Sequence, residues 1–145
     1  MSRKIFVNLP VKDLDASKAF FRALGFSCNG QFTDETAACL VISDDIYAML
    51  LTREKFRQFA PQKVCDSRRS NEVLLCLSCE RRVEVDELAE KAIAAGGKNV
   101  REPMDHGFMY ERSIQDLDGH IWEFVWMDPA FVEQNPQAAD PAGGE

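Results

Sequence analysis

The chain has no apolar run approaching the roughly 20 residues that cross a bilayer, and its N-terminus has no apolar signal core. No membrane role is expected. Positive charge is in short supply as well: 17 Lys and Arg stand against 24 Asp and Glu, a net charge of −7. That balance argues against nucleic acid or an anionic membrane as a partner. The five cysteines (Cys28, Cys39, Cys65, Cys76 and Cys79) are odd in number and scattered. They do not read as a disulfide framework and fit the reduced thiols of a cytoplasmic protein. What is present is 46% hydrophobic and 10% aromatic content over 145 residues, enough for one globular core and too much for a disordered chain.

The richest stretch is Asp116-Leu117-Asp118-Gly119-His120-Ile121-Trp122-Glu123-Phe124-Val125-Trp126. Asp-x-Asp-Gly is turn chemistry, since Asp tolerates the bend and Gly supplies positive φ. The aromatic and β-branched residues after it predict a strand. Alternation puts Ile121, Glu123 and Val125 on one face and His120, Trp122, Phe124 and Trp126 on the other. A carboxylate between two apolar neighbours asks for a partner or a ligand, unless the strand is an exposed edge.

The rest of the chain predicts a repeated order of elements. Lys4 to Val11 reads as a strand, followed by a helix from Asp13 to Leu24 that Asp13 caps and Gly25 ends. Phe26 to Phe32, Ala37 to Ser43 and Ile46 to Thr52 read as strands, and Arg53 to Phe59 as a short helix. After a polar connection from Lys63 to Asn71, Glu72 to Ser78 reads as a strand. Arg82 to Ala95 is a helix with Val85, Leu88, Ala89, Ala92 and Ile93 on one face. Asn99 to Pro103, Phe108 to Gln115 and His120 to Trp126 are three further strands. The order strand–helix–strand–strand–strand thus occurs twice, an internal repeat of about sixty residues. It implies one α+β domain over residues 1–128, with modules at about 3–60 and 71–128. A flexible tail is expected over 129–145.

With the repeat laid out, the sequence resembles the vicinal oxygen chelate superfamily of glyoxalase I, bleomycin resistance proteins and extradiol dioxygenases. The matching stretches are Phe6 to Phe21 (FVNLPVKDLDASKAFF), Leu24-Gly25-Phe26 and Asp116 to Glu123 (DLDGHIWE). A Gly-Phe-Met-Tyr segment at Gly107 to Tyr110 is similar to a subgroup described as predicted lactoylglutathione lyases. The resemblance implies two βαβββ modules with helices outside sheets that curl into a cup, a small-molecule ligand and a homodimer. It also implies that four cup positions, those of the metal ligands in metal-dependent relatives, fall here on Phe6, Leu50, Glu72 and Glu123. Phenylalanine and leucine coordinate nothing, so only Glu123 and Glu72 could ligate. The expectation is no cofactor, or at most a weakly bound divalent metal.

Other features are open to two readings. Glu72 and Glu123, facing one cavity, would make a proton-transfer pair; on the surface they would mean nothing. Tyr110 and Arg112 share a strand face and could hold a substrate carboxylate, with Phe6 and Leu50 lining the same cup; the alternative is an ordinary half-exposed strand. Cys76-Leu77-Ser78-Cys79 spells C-x-x-C but lies in a strand, so an inert core cysteine with a coincidental neighbour is expected. His106 and His120 read as ordinary polar residues. Two functions remain: a glyoxalase-like lyase or isomerase moving a proton with Glu123 or Glu72, and a non-catalytic binder of the bleomycin-resistance kind. An extradiol dioxygenase is disfavoured, because no histidine occupies the ligand positions.

Overall fold

The computed structural model describes residues 2–134. It contains the expected repeat. Strand β1 (Ile5–Val11), helix α1 (Leu14–Ala23), and strands β2 (Ser27–Asn29), β3 (Ala37–Val41) and β4 (Ile46–Thr52) form the first module. A short helix α2 (Arg53–Arg57) and a long connection lead to β5 (Leu74–Ser78) and helix α3 (Arg82–Ala94). Strands β6 (Lys98–Asn99), β7 (Met104–Asp105), β8 (Met109–Gln115) and β9 (Ile121–Met127) complete the second module. The sheets run β1-β4-β3-β2 and β5-β9-β8-β6, with β7 also pairing to β8. In each module the first strand pairs parallel with the last, β1 with β4 and β5 with β9, while the remaining pairs are antiparallel. The fold is therefore α+β with two mixed sheets, as the repeat implies.

Local chemistry sets the elements. Asp13 caps α1, its carboxylate accepting from Ala16 N–H at 3.0 Å. Gly25 at φ +103° closes the same helix in the left-handed region. Leu14, Ser17, Phe20 and Phe21 form its buried face. One hydrophobic cluster joins both modules, running from Leu9, Val11 and Leu50 through Phe21 to Ala89, Ile114, Trp122 and Phe124. Phe21 meets Trp122 edge-on with centroids 5.3 Å apart, so α1 reaches the second sheet as well as the first. Helices α1 and α3 cover the core face of the sheets; the opposite face is open on the second sheet, while on the first α2 packs against β1 and β4 and Leu51 is buried.

Several boundaries differ from the sequence reading. Only Ser27–Asn29 of the segment expected as a strand from Phe26 to Phe32 pairs, because Gly30–Phe32 winds into a 3-10 turn capped by the Asn29 side chain. Glu72 lies outside β5, which begins at Leu74. The tail expected from residue 129 is helical over Pro129–Gln134 (α4), with Phe131 stacked on Phe108 at 4.0 Å. The remainder of that expected tail lies outside the described residues. No helix among the described residues is long and apolar enough to cross a membrane.

The Asp116 turn ties the modules together. Asp116 Oδ1 accepts from the N–H groups of Asp118 and His120, and Trp122 Nε1–H donates to Oδ2 at 3.0 Å. Burial pushes the Asp116 carboxyl above its usual range, partly offset by the charge of His120 and the Trp122 hydrogen bond. From the same turn, Asp118 accepts from Lys12 N–H at 2.8 Å, and His120 Nε2 donates to the Pro10 carbonyl at 2.8 Å. Gly119 sits at φ +90°, where a Cβ would lie 2.7 Å from Arg68 N. Gly119→Ala should therefore cost about 1–3 kcal/mol through strain and displacement of the connection. A thermal melt should show a midpoint lowered by about 3–10 °C; an unchanged midpoint would show the turn to be slack.

Candidate functional site

Glu123 occupies the middle of β9, between Cys76 on β5 and Ser113 on β8. Paired residues share a sheet face, so Cys76, Ser113 and Glu123 look out from the open face, together with Glu111 two residues before Ser113. Trp122 and Phe124 point the other way into the core, as alternation requires. Glu123 is nevertheless only 8% exposed. Its Oε2 accepts from Ser113 Oγ at 3.2 Å and from Arg101 Nη2 at 3.1 Å. The same Arg101 nitrogen donates to Glu111 Oε1 at 2.6 Å. One guanidinium thus bridges two carboxylates, and the cluster keeps an excess of negative charge.

The thiol of Cys76 stands among these groups, and one donor atom each from Cys76, Glu111 and Glu123 fall within 4.8 Å of one another. Burial, then the charges of Glu111 and Glu123, push the Cys76 thiol up to about 11. Cys79 is also pushed to about 11, by burial and by Glu84. The two do not form a redox dithiol. Three residues apart on an extended chain they face opposite ways, Cys79 against the core and Cys76 outward. Cys76 is exposed, which corrects the expectation of a core cysteine.

The other sequence candidates scatter. Leu50 is paired with Leu9 and fully buried in the core, so it is no cup residue; Met49, one position earlier, shares the open face with Asn8. Phe6 does lie on an open face, stacked on Tyr47 at 4.7 Å. Glu72 is exposed and precedes Cys76 by four residues, about 13 Å along an extended chain, so it is not placed beside Glu123. Tyr110 and Arg112 alternate with Glu111 and face helix α3 instead of the open side. Tyr110 donates to Asp86 Oδ1 at 2.6 Å, and Arg112 pairs with Glu90 at 2.6 Å and Asp86 at 3.3 Å. Burial and the Asp86 carboxylate raise the Tyr110 phenol. Both residues are spent on docking α3. Arg101 and Glu111 were not singled out in the sequence, although pairing across the Asp116 turn puts Glu111 and Ser113 on the face of Glu123. Arg101, on the connection between β6 and β7, leaves no such signal.

The divalent metal of metal-dependent relatives does not fit these residues. Of the four positions the resemblance implies, Phe6 and Leu50 carry no donor, Leu50 is enclosed in the core, and Glu72 stands apart from Glu123. Where the carboxylates do converge, Arg101 already supplies their cation. A separate cleft of about 410 Å³ opens between β1, the α2 region and the starts of β5 and β9. Val7, Pro10, Phe56, Glu72, Leu75 and Ile121 are among its lining residues; Glu123 is not.

The bleomycin resistance protein-like N-terminal family matches residues 3–43. The structure of the hypothetical protein SA1046 from S. aureus is 31% identical, covering 87% of this chain and 94% of that one with a TM-score of 0.73. A glyoxalase-related enzyme from Fulvimarina pelagi (22% identity, 87% and 88% covered, TM-score 0.73) has the same fold. So does the fosfomycin resistance protein FosX from Listeria monocytogenes (20%, 87% and 91%, 0.63). The chain thus has the fold of the glyoxalase and antibiotic-resistance structures, and its first strand, first helix and following strands match the bleomycin resistance protein-like model. A search of curated proteins returned no match. On this fold the chain carries an arginine–carboxylate cluster on the open face of its second sheet.

The raised thiol makes a kinetic expectation. With Cys76 near 11, about one thiol in three thousand is ionised at pH 7.5, so iodoacetamide should modify it slowly despite its exposure. The rate should climb as pH rises towards 11, and Glu111→Gln with Glu123→Gln should hasten it at fixed pH. Residue-resolved mass spectrometry checks this; fast labelling at neutral pH would contradict the carboxylate environment.

Proposed function

We propose that this protein binds a small molecule without a resident metal, in the manner of the bleomycin-resistance proteins it is similar to. One observation carries the reading. The Arg101 guanidinium is bonded to both Glu123 and Glu111, so the best-placed carboxylate already has its cation and a hydrogen-bonded hydroxyl beside it. A carboxylate held this way is a good fixed acceptor. The ligand would exchange its own donors for those of Arg101. A glyoxalase-like lyase or isomerase activity, with Glu123 moving a proton, is the second reading. It is favoured by the burial of Glu123 on a face otherwise open, and it requires Arg101 to withdraw during turnover.

The open faces also support a homodimer. Phe6 is 49% and Leu74 59% exposed, both on edge strands, and a second copy would cover them while enclosing the Glu123 face. Five free thiols support a reducing, cytoplasmic setting.

Metal analysis of protein purified without chelators should find well under one divalent ion per chain. Arg101→Ala should gain zinc or manganese binding, because it frees three donors already gathered together. In a thermal-shift screen of small molecules, Glu123→Gln should abolish the stabilisation given by any hit while leaving the unliganded melt within about 1 kcal/mol of the original. A full complement of tightly held metal in the unaltered protein would overturn the reading. Sedimentation should give twice the 16.4 kDa chain mass; a monomer at micromolar concentration would remove the second copy from the site.

A further inference from the structure

In a chain with net charge −7, the connection between the modules is basic. Arg53 lies half-buried at the meeting point of three adjoining depressions. Around it the same depressions are lined by Lys12, Arg57, Lys63, Arg68 and Arg69, against only two carboxylates, Asp66 and Asp118. Both carboxylates are engaged locally: Asp66 accepts from Arg68 N–H at 3.1 Å, and Asp118 from Lys12 N–H and Ser17 Oγ. None of the six cations has an ion-pair partner among the described residues; the ion pairs there use Lys4, Arg81, Arg82, Arg101 and Arg112. Like charges gathered without counter-ions repel one another, and an anion relieves the repulsion.

This basic surface borders the 410 Å³ cleft. Ala60, Pro61, Gln62, Lys63, Val64 and Cys65 line both the cleft and one or more of the basic depressions. The cleft side is furnished with Val7, Leu9, Pro10, Phe56, Leu75 and Ile121, a mainly apolar bed in which Glu72 is the one carboxylate among the described residues, of a size that takes a small organic molecule. Two chemistries therefore meet along one strip of connection: a hydrophobic floor and a cationic rim.

We propose that the cleft between the modules is a binding site for a small organic anion, an apolar or aromatic body carrying a phosphate head, with Arg53 and Lys63 on the head and Phe56 against the body. Phosphate suits the rim because guanidinium groups bind its oxygens in a fork and several cations can share its two charges. The site is separate from the arginine–carboxylate cluster, whose Arg101, Glu111 and Glu123 do not line it. Its ligand preference is opposite in sign, since the Glu123 face is acidic and this rim is basic.

Calorimetric titration of the full chain with phenyl phosphate, inorganic phosphate and benzyl alcohol tests the proposal. Phenyl phosphate should bind saturably and more tightly than either fragment, and its affinity should fall as salt rises. Arg53→Ala and Lys63→Ala should each weaken it about tenfold. Phe56→Ala should weaken phenyl phosphate but leave inorganic phosphate unchanged. Lys63 is exposed on the connection, so its variant keeps the test valid if Arg53→Ala disturbs α2; an unaltered melting curve certifies each variant. Glu123→Gln should leave phenyl phosphate binding intact, which separates this site from the proposed one on the second sheet. Phenyl phosphate binding no better than benzyl alcohol, or an affinity unchanged from that of the unaltered protein in both cation variants, would overturn the assignment. So would co-sedimentation with phosphatidylglycerol vesicles without any response to phenyl phosphate.

Discussion

The structure depends on a buried carboxylate at a turn. Asp116 is 7% exposed and gathers N–H donors from its own turn and from the indole of Trp122. A buried charge is tolerated only when its lone pairs are used, and here their use has a geometric result. The turn is rigid, so Asp118 and His120 project from it at fixed positions and take hold of Lys12 N–H and the Pro10 carbonyl at the end of β1. The first module is thus pinned to the second at the point where α1 begins. That pin sets Phe21 against Trp122 and merges two cores into one. It also orients β9, whose alternation then decides that Glu123 faces outward.

On the open face the governing fact is electrostatic. Two carboxylates and a thiol that converge within 4.8 Å would repel and desolvate one another without a cation between them. The chain supplies that cation from the β6–β7 connection as Arg101. Its side chain is 40% exposed, so screening makes the pairing with Glu111 and Glu123 modest in strength, and the guanidinium is free to exchange. A site closed by a guanidinium differs in kind from one closed by a coordinated metal, and in the function proposed above it would suit ligands that bring donors of their own.

The fold was largely legible in the chain because the relevant signals are local and repeated. Asp13 and Gly25 bracket α1, and the Asp116–Gly119 turn fixes the last hairpin, as their side-chain chemistry requires. The site was legible where a strand is anchored to such a turn: Glu123 faces as alternation says it should. It was not legible where register passed through unanchored segments. Leu50 was one residue off the open face, since β4 has no turn residue of comparable strength beside it. Alternation puts Tyr110 and Arg112 on one face of β8 but does not say on which side that face looks, because their acidic partners Asp86 and Glu90 belong to a helix whose placement sequence alone does not give. Arg101 belongs to a connection without periodicity, and only the assembled sheet brings it to Glu123.

The parallel pairing of first strand with last has a consequence for how the molecule comes into being. In the first module Ile5 lies beside Ile46, and in the second Leu74 lies beside Ile121, so neither module can close by adding hairpins in succession. Each must hold its first strand unpaired on one side until some forty residues of helix and hairpin have been made. During synthesis β1 therefore waits for β4 and β5 waits for β9, and in that interval an apolar edge is open to wrong partners. The pauses differ in outcome. The first module has all its strands once Thr52 is made, whereas the second acquires β9 only when Ile121–Met127 emerges. The same strand carries Glu123, which makes the arrival of the site and the completion of the second sheet a single event.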